Sequence, residues 1–102
     1  MAYATVFHSL AEAEYIEAFQ WYENQLPGLG ERFEQAVEEK LNQISLKPQL
    51  FSVKKGNFRE AKIEAFPYVI VFWIYKGERI IFISSIFHAS RSPRKKYRKS
   101  RG

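Results

Sequence analysis

His88 is the residue of this 102-residue chain best suited to acid–base work, because imidazole titrates near neutral pH. It closes the last strand-like run, where a site at a sheet end would form. Its other reading is a packing or hydrogen-bonding residue at a strand terminus. Arg91, three positions on, can clamp a phosphate through two parallel hydrogen bonds, or pair with a helix Glu, or anchor the turn before Pro93. Arg59, Lys62 and Arg79 fall on or beside strand-like runs and add positive field. Lys62 also stands between Glu60 and Glu64 in a pattern that reads as an ion-pair face. Farther on, Arg91-Ser92-Pro93-Arg94-Lys95-Lys96-Tyr97-Arg98-Lys99-Ser100-Arg101 holds seven basic residues and one aromatic. Arg94, Lys95, Lys96 and Arg98 suit phosphate contacts or an acidic protein, and Tyr97 can stack on a base. The same run also reads as a solubilising end. Lys54 and Lys55 either touch phosphates or flank a turn.

What is missing narrows the chemistry. Cysteine and Asp are absent, and His8 and His88 are the only histidines. Disulfides and thiolate-bound zinc are excluded, and a His-based metal centre would need several Glu ligands. No metal and no cofactor is expected. His8, just before a helix start, reads as local structure. Gly28 and Gly30 follow a helix and do not form a phosphate-cradling loop. No run of 18 apolar residues occurs, so no membrane span is expected, and the N-terminus lacks the basic and apolar regions of a signal peptide. The expected compartment is the cytoplasm.

Charge is unevenly spread. Residues 1–46 carry two basic side chains against eight Glu, a net −6, and residues 47–102 carry fourteen basic against three acidic, a net +11. That asymmetry suits a surface that meets a polyanion or an acidic partner.

The elements that position these residues follow from periodicity. Tyr3–Phe7 reads as an opening strand. Ser9-Leu10-Ala11-Glu12 reads as a capping box, followed by a helix with Ala11, Tyr15, Ala18, Tyr22 and Leu26 on one stripe, widened by Phe19. Trp21 and Tyr22 cannot both face that core, so one of them marks an interaction surface. Pro27-Gly28-Leu29-Gly30 ends the helix. A second one carries Leu29, Phe33, Val37, Leu41 and Ile44 until Pro48 stops it. A link so short makes the two helices antiparallel neighbours. Phe58–Ala65, Tyr68–Tyr75 and Ile80–Phe87 are strand-like, with a short strand at Phe51–Val53 and turns at Lys54–Asn57 and Lys76–Glu78. Val69–Ile74 is apolar on both faces and reads as a central strand, so Trp73 packs inside. The expected fold is α+β, with a helical hairpin on one face of a twisted, mostly antiparallel sheet in β-α-α-β-β-β order. Residues 1–94 form one domain and 95–102 a basic C-terminal tail.

Taken in order, Ala18, Trp21-Tyr22-Glu23, Gly28-Leu29-Gly30 with Phe33, Val37, Leu41, Ile44 and Pro48, Phe66-Pro67-Tyr68, and Ile86-Phe87-His88 with Arg91 and Pro93 resemble the RelE/ParE superfamily. Its members are toxins of type II toxin–antitoxin modules and include plasmid stabilisation proteins. The resemblance spans about residues 3–94. It implies the α+β fold just derived and a cognate antitoxin that wraps and neutralises the toxin, with either a homodimer or a toxin–antitoxin hetero-oligomer. Two activities are implied in the alternative. RelE-like members cleave ribosome-bound mRNA without metal, which needs a base for the 2′-hydroxyl, an acid for the leaving oxygen and cations for the phosphorane. His88, Arg91 and Arg59 would fill those roles. ParE-like members inhibit DNA gyrase by binding. Two positions depart from the nuclease pattern: Tyr68 stands where an Arg opens the central strand, and Ala89 where an aromatic follows the His. The whole-chain pattern is more ParE-like, so the favoured expectation is a gyrase inhibitor. A degenerate member that only binds its antitoxin is the third reading.

Overall fold

The computed structural model describes residues 2–99; of the tail expected over 95–102, residues 100–102, Arg101 among them, lie outside the described residues. The elements are β1 (Ala4–Phe7), α1 (Ser9–Gln25), α2 (Leu29–Leu46), a 3-10 turn (Pro48–Leu50), β2 (Val53–Lys55), β3 (Phe58–Lys62), β4 (Tyr68–Tyr75) and β5 (Ile80–His88). The sheet runs β1-β5-β4-β3-β2. β1 pairs parallel with β5, and every other pair is antiparallel. The α+β hairpin-on-sheet architecture is the expected one, with four strands after the hairpin where the order β-α-α-β-β-β had three.

α1 starts one residue earlier than its capping box suggests. His8 is extended and donates its N–H to Ile83 O (2.9 Å), which holds it in the sheet. Its Nδ1 accepts the Leu10 N–H at 3.0 Å, so His8, not Ser9, is the cap. The helices are joined across Gly28, whose φ of 91° needs a residue without Cβ. Glu23 reaches over from α1 and accepts both the Gly28 and Gly30 N–H groups at 2.9 Å, supplying the N-terminal cap that Gly28 lacks. Gly30 marks the close approach of the hairpin: a Cβ there would sit 2.8 Å from the Phe19 carbonyl oxygen.

Alternation along the strands divides the sheet into two apolar faces. Ile70, Phe72, Ile81, Ile83 and Ile86 join Ala11, Ala18, Tyr22, Phe33, Val37, Leu41 and Ile44 of the helices in the main core. Phe58, Val69, Val71 and Phe87 form a smaller cluster on the far face, with Trp73 and Tyr97 packed against it. Burial across Val69–Phe72 fits the central place expected for β4.

Local boundaries differ where tertiary contacts override pattern. Pro48 begins a 3-10 turn, and Arg59 Nη1 fastens that turn by donating to Phe51 O at 2.6 Å. The short strand is thereby shifted to Val53–Lys55, so Lys54 and Lys55 lie in it and the turn is confined to Gly56-Asn57. β3 stops at Lys62 because Ala65 turns left-handed at φ 67° and Ile63 N–H closes on Tyr68 O at 3.0 Å. The Glu residues that flank Lys62 find other cations: Glu60 pairs with Lys96 at 3.4 Å and Glu64 with the buried Lys40 at 2.9 Å.

Candidate functional site

One helix and two strand ends build a groove of about 450 Å³. α1 contributes Glu14, Glu17, Trp21 and Tyr22, β4 contributes Tyr68, β5 contributes His88, and the following turn adds Arg91 and Pro93. Tyr68 and His88 are cross-strand partners, and their rings meet edge-on at 5.3 Å. Tyr22 packs edge-on to Tyr68 at 6.0 Å and to Trp21 at 5.2 Å. The Trp21/Tyr22 pair divides as its spacing requires: Tyr22 is 8% exposed and in the core, Trp21 is 55% exposed at the groove wall.

His88 Nδ1 accepts the Ser90 N–H at 3.1 Å and lies 2.7 Å from Ser90 Oγ. The Ser90 N–H at Nδ1 favours the neutral tautomer with its proton on Nε2, which presents a donor to the groove. Arg91 is exposed, and its N–H closes a turn on His88 O at 2.9 Å. Burial raises the Tyr68 phenol above its ordinary value; Arg91 opposes that and Glu17 adds to it, so both charges act near the phenol oxygen. Tyr68 therefore stays protonated at neutral pH.

The other residues proposed from sequence lie elsewhere. Arg59 is committed to backbone carbonyls beside the 3-10 turn, not to His88. Lys54 and Lys55 are on the opposite edge strand, with Lys55 Nζ 5.8 Å from the Tyr97 ring centre. Arg94 and Lys95 are exposed. Lys96, Tyr97 and Arg98 fold back onto the far sheet face. Lys96 Nζ lies 4.8 Å from the Phe87 ring centre, and the Tyr97 hydroxyl donates to Glu60 at 2.8 Å. Burial first, then that carboxylate, pushes the Tyr97 phenol up to about 12. Arg98 meets Glu14 at 3.3 Å and donates to Ser84 O at 2.9 Å. Ser84 Oγ donates to Lys96 O at 2.7 Å and accepts the Arg98 N–H.

Sequence reasoning missed Glu14, Glu17 and Ser90. The signal for the first two was present: Leu10, Glu14, Glu17 and Trp21 are spaced i, i+4, i+7 and i+11, a second stripe beside the core stripe.

His8 yields a pH prediction. Burial holds its imidazole below the ordinary 6.5, Arg98 pushes the same way, and Glu14 opposes them. As pH falls through 6.5 the unfolded chain takes up a proton that the folded chain refuses, so stability is lost on the acid side and regained above it. The urea midpoint should drop between about pH 7.5 and about pH 5. His8→Asn keeps a capping acceptor but does not titrate, and should flatten that part of the drop. An equal drop in wild type and His8→Asn would remove His8 as its source.

A helical hairpin on a five-stranded, mostly antiparallel sheet is the fold of solved RelE and ParDE toxin structures. A chain of the chromosomal ParDE toxin–antitoxin system from P. aeruginosa matches with TM-score 0.72 at 14% identity, over 85% of this chain and 96% of that one. An E. coli RelE toxin mutant in the free state matches with TM-score 0.68 at 19% identity, over 90% and 88%. A chain of the RelBE2 toxin–antitoxin complex from Mycobacterium tuberculosis matches with TM-score 0.61 at 17% identity, over 86% and 99%. These likenesses are of fold. The chain belongs to the ParE toxin family of type II toxin–antitoxin systems, parDE, whose family model matches residues 5–93. No curated protein sequence matches it. No helix among the described residues is long and apolar enough to cross a membrane.

Proposed function

We propose that this chain is a cytoplasmic toxin that acts by binding, with DNA gyrase as its target and a cognate antitoxin as its neutralising partner. The observation that carries this reading is the hydrogen-bonding state of His88. With Nδ1 accepting the Ser90 N–H, the favoured neutral tautomer presents a donor and not a base at Nε2. The charge around it supports the same reading. Two carboxylates, Glu14 and Glu17, line the groove with one exposed guanidinium, Arg91. With Glu14 paired to Arg98, Glu17 and Arg91 offset each other, so the lining offers a phosphodiester no net cationic field and suits a protein surface. Lys96 and Arg98, which could have supplied cations, are neutralised by Glu60 and Glu14. The competing reading, ribosome-dependent cleavage of mRNA, is favoured by His88 and Arg91 lining one groove.

The two are separated by assaying the purified chain for inhibition of gyrase supercoiling and for cleavage of ribosome-bound mRNA. The expected result is inhibition without cleavage, with folded His88→Ala and Arg91→Ala still inhibiting. Circular dichroism establishes that the variants are folded. If wild type cuts mRNA, spares supercoiling, and loses about 10²–10⁴-fold in cutting on His88→Ala, the binding reading is wrong. If neither assay responds and induced expression leaves growth normal, the chain is a member that only binds its antitoxin.

A further inference from the structure

The turn after β5 is fastened through three consecutive backbone N–H groups. Ala89 donates to Pro67 O at 2.7 Å, Ser90 to His88 Nδ1 at 3.1 Å, and Arg91 to His88 O at 2.9 Å. The Ser90 hydroxyl is not needed to hold this turn. Its Oγ nevertheless lies 2.7 Å from the same Nδ1, the shorter of the two contacts. Because Nδ1 accepts the Ser90 N–H it carries no proton, so the hydroxyl is a second donor to it. A serine hydroxyl donating to an unprotonated imidazole nitrogen is the pairing that activates a nucleophile. Tyr68, the partner of His88 across the strands, steadies the imidazole by meeting it edge-on at 5.3 Å. Ser90 is exposed, so an electrophile can reach Oγ from solvent.

We propose that Ser90 is a nucleophile, with His88 Nδ1 as its general base, and that it accepts an acyl group from an uncharged activated ester. Oγ attacks the carbonyl carbon and passes its proton to Nδ1. The carbonyl oxygen takes up negative charge, which the exposed Arg91 guanidinium, next in the chain, stabilises. Collapse breaks the bond to the leaving oxygen, which takes the proton from Nδ1 and departs as an alcohol or phenol. Ser90 then carries the acyl group as an ester, and His88 is back in its starting state. The neighbouring groove selects the electrophile. An anionic phosphoryl donor would meet Glu17 as well as Arg91, whereas the apolar part of an uncharged ester can lie against Trp21, Tyr68 and Pro93. This chemistry is separate from the binding role proposed above and uses the ring nitrogen of His88 that the groove does not.

The probe is p-nitrophenyl acetate, added to the whole chain, with peptide mass spectrometry mapping the acetyl groups over time. Alkaline hydroxylamine separates the products, since it removes an acetyl ester from serine and leaves acetyl amides on lysine. Ser92 is the internal control: it is exposed two residues on, and its Oγ accepts from Lys96 Nζ at 3.0 Å instead of facing an imidazole. Ser90 should be acetylated about a hundredfold faster than Ser92, the low end of what a positioned base supplies. His88→Gln keeps a hydrogen-bond acceptor but cannot take the proton. It should slow acetylation of Ser90 by about the same factor and leave Ser92 unchanged, with circular dichroism establishing that it is folded. Equal rates at Ser90 and Ser92 in the wild-type protein, a comparison that needs no variant, would overturn the inference. So would an acetyl group found on His88 in place of Ser90, or a folded His88→Gln that labels Ser90 at the wild-type rate.

Discussion

Phe33→Ala should lower the unfolding free energy by about 3–5 kcal/mol, the usual cost of emptying an aromatic site in a closed core. Phe33 is fully buried on α2. Its ring lies 5.1 Å from Tyr22, 5.3 Å from Phe66 and 5.1 Å from Tyr68. Those three rings come from α1, the β3–β4 turn and β4, so no single element can close over the space left. A domain of this size holds about 5–15 kcal/mol in total, so the variant should lose a third or more of it. Phe33→Leu, which fills most of the volume, should cost much less. Urea unfolding followed by circular dichroism reads both. Tyr22 and Tyr68 also wall the groove, so the variant should bind partners poorly even where it remains folded. A loss below about 1 kcal/mol would mean that the helices slide to refill the site, contrary to the packing described.

Trp21→Ala should do the reverse, sparing the fold and removing binding. The indole is 55% exposed and its ring contact is Tyr22, so stability should change by about 0.5 kcal/mol or less. Exposed tryptophans at groove walls are the residues on which protein interfaces most depend. Truncating one typically costs about 2–4 kcal/mol of binding, roughly 30- to 1000-fold in Kd. Titration calorimetry with the antitoxin, and with gyrase as the proposed target, would show whether either uses the groove. Leu50→Ala is the control: Leu50 is 76% exposed and is not part of the groove lining, so it should bind as wild type. Equal affinities for Trp21→Ala and Leu50→Ala toward both partners would rule the groove out as the contact.

Much of this was readable from residue spacing. Steps of three and four along Ala11–Leu26 and Leu29–Ile44 gave two antiparallel helices, and the doubly apolar run at Val69–Ile74 gave the central strand. His88 and Arg91, expected near each other from sequence, line one groove because a strand end and its turn bring near neighbours together. What escaped were contacts between residues far apart in the chain. A basic run obeys a local rule that sends it to solvent, yet Lys96 and Arg98 fold back because Glu60 and Glu14 await them on β3 and α1. No spacing rule links residue 14 to residue 98. The capping box at Ser9 was a sound local pattern overruled by the sheet, since the His8 N–H belongs to β5 and the helix begins where that ladder ends. β2 moved for a similar reason: Arg59 holds the 3-10 turn, and that fixes where the next strand can start.

The parallel pairing of β1 with β5 has a kinetic consequence. Among the described residues the first strand is joined to the last, and β5 lies between β1 and β4 in the sheet. Pairings this distant in sequence close slowly, because a long loop must be ordered before any contact rewards it. The helical hairpin can assemble while the chain is still on the ribosome, but its apolar stripe has no finished sheet to cover until His88 has been made. The groove needs the same last strand, which supplies its His88 wall. The groove is thus completed only once β5 has joined the sheet, so the chain passes through an interval in which its helices exist and its groove does not. The interval exposes the hairpin's apolar face to aggregation, and it also gives a neutralising partner time to reach the chain before the groove exists.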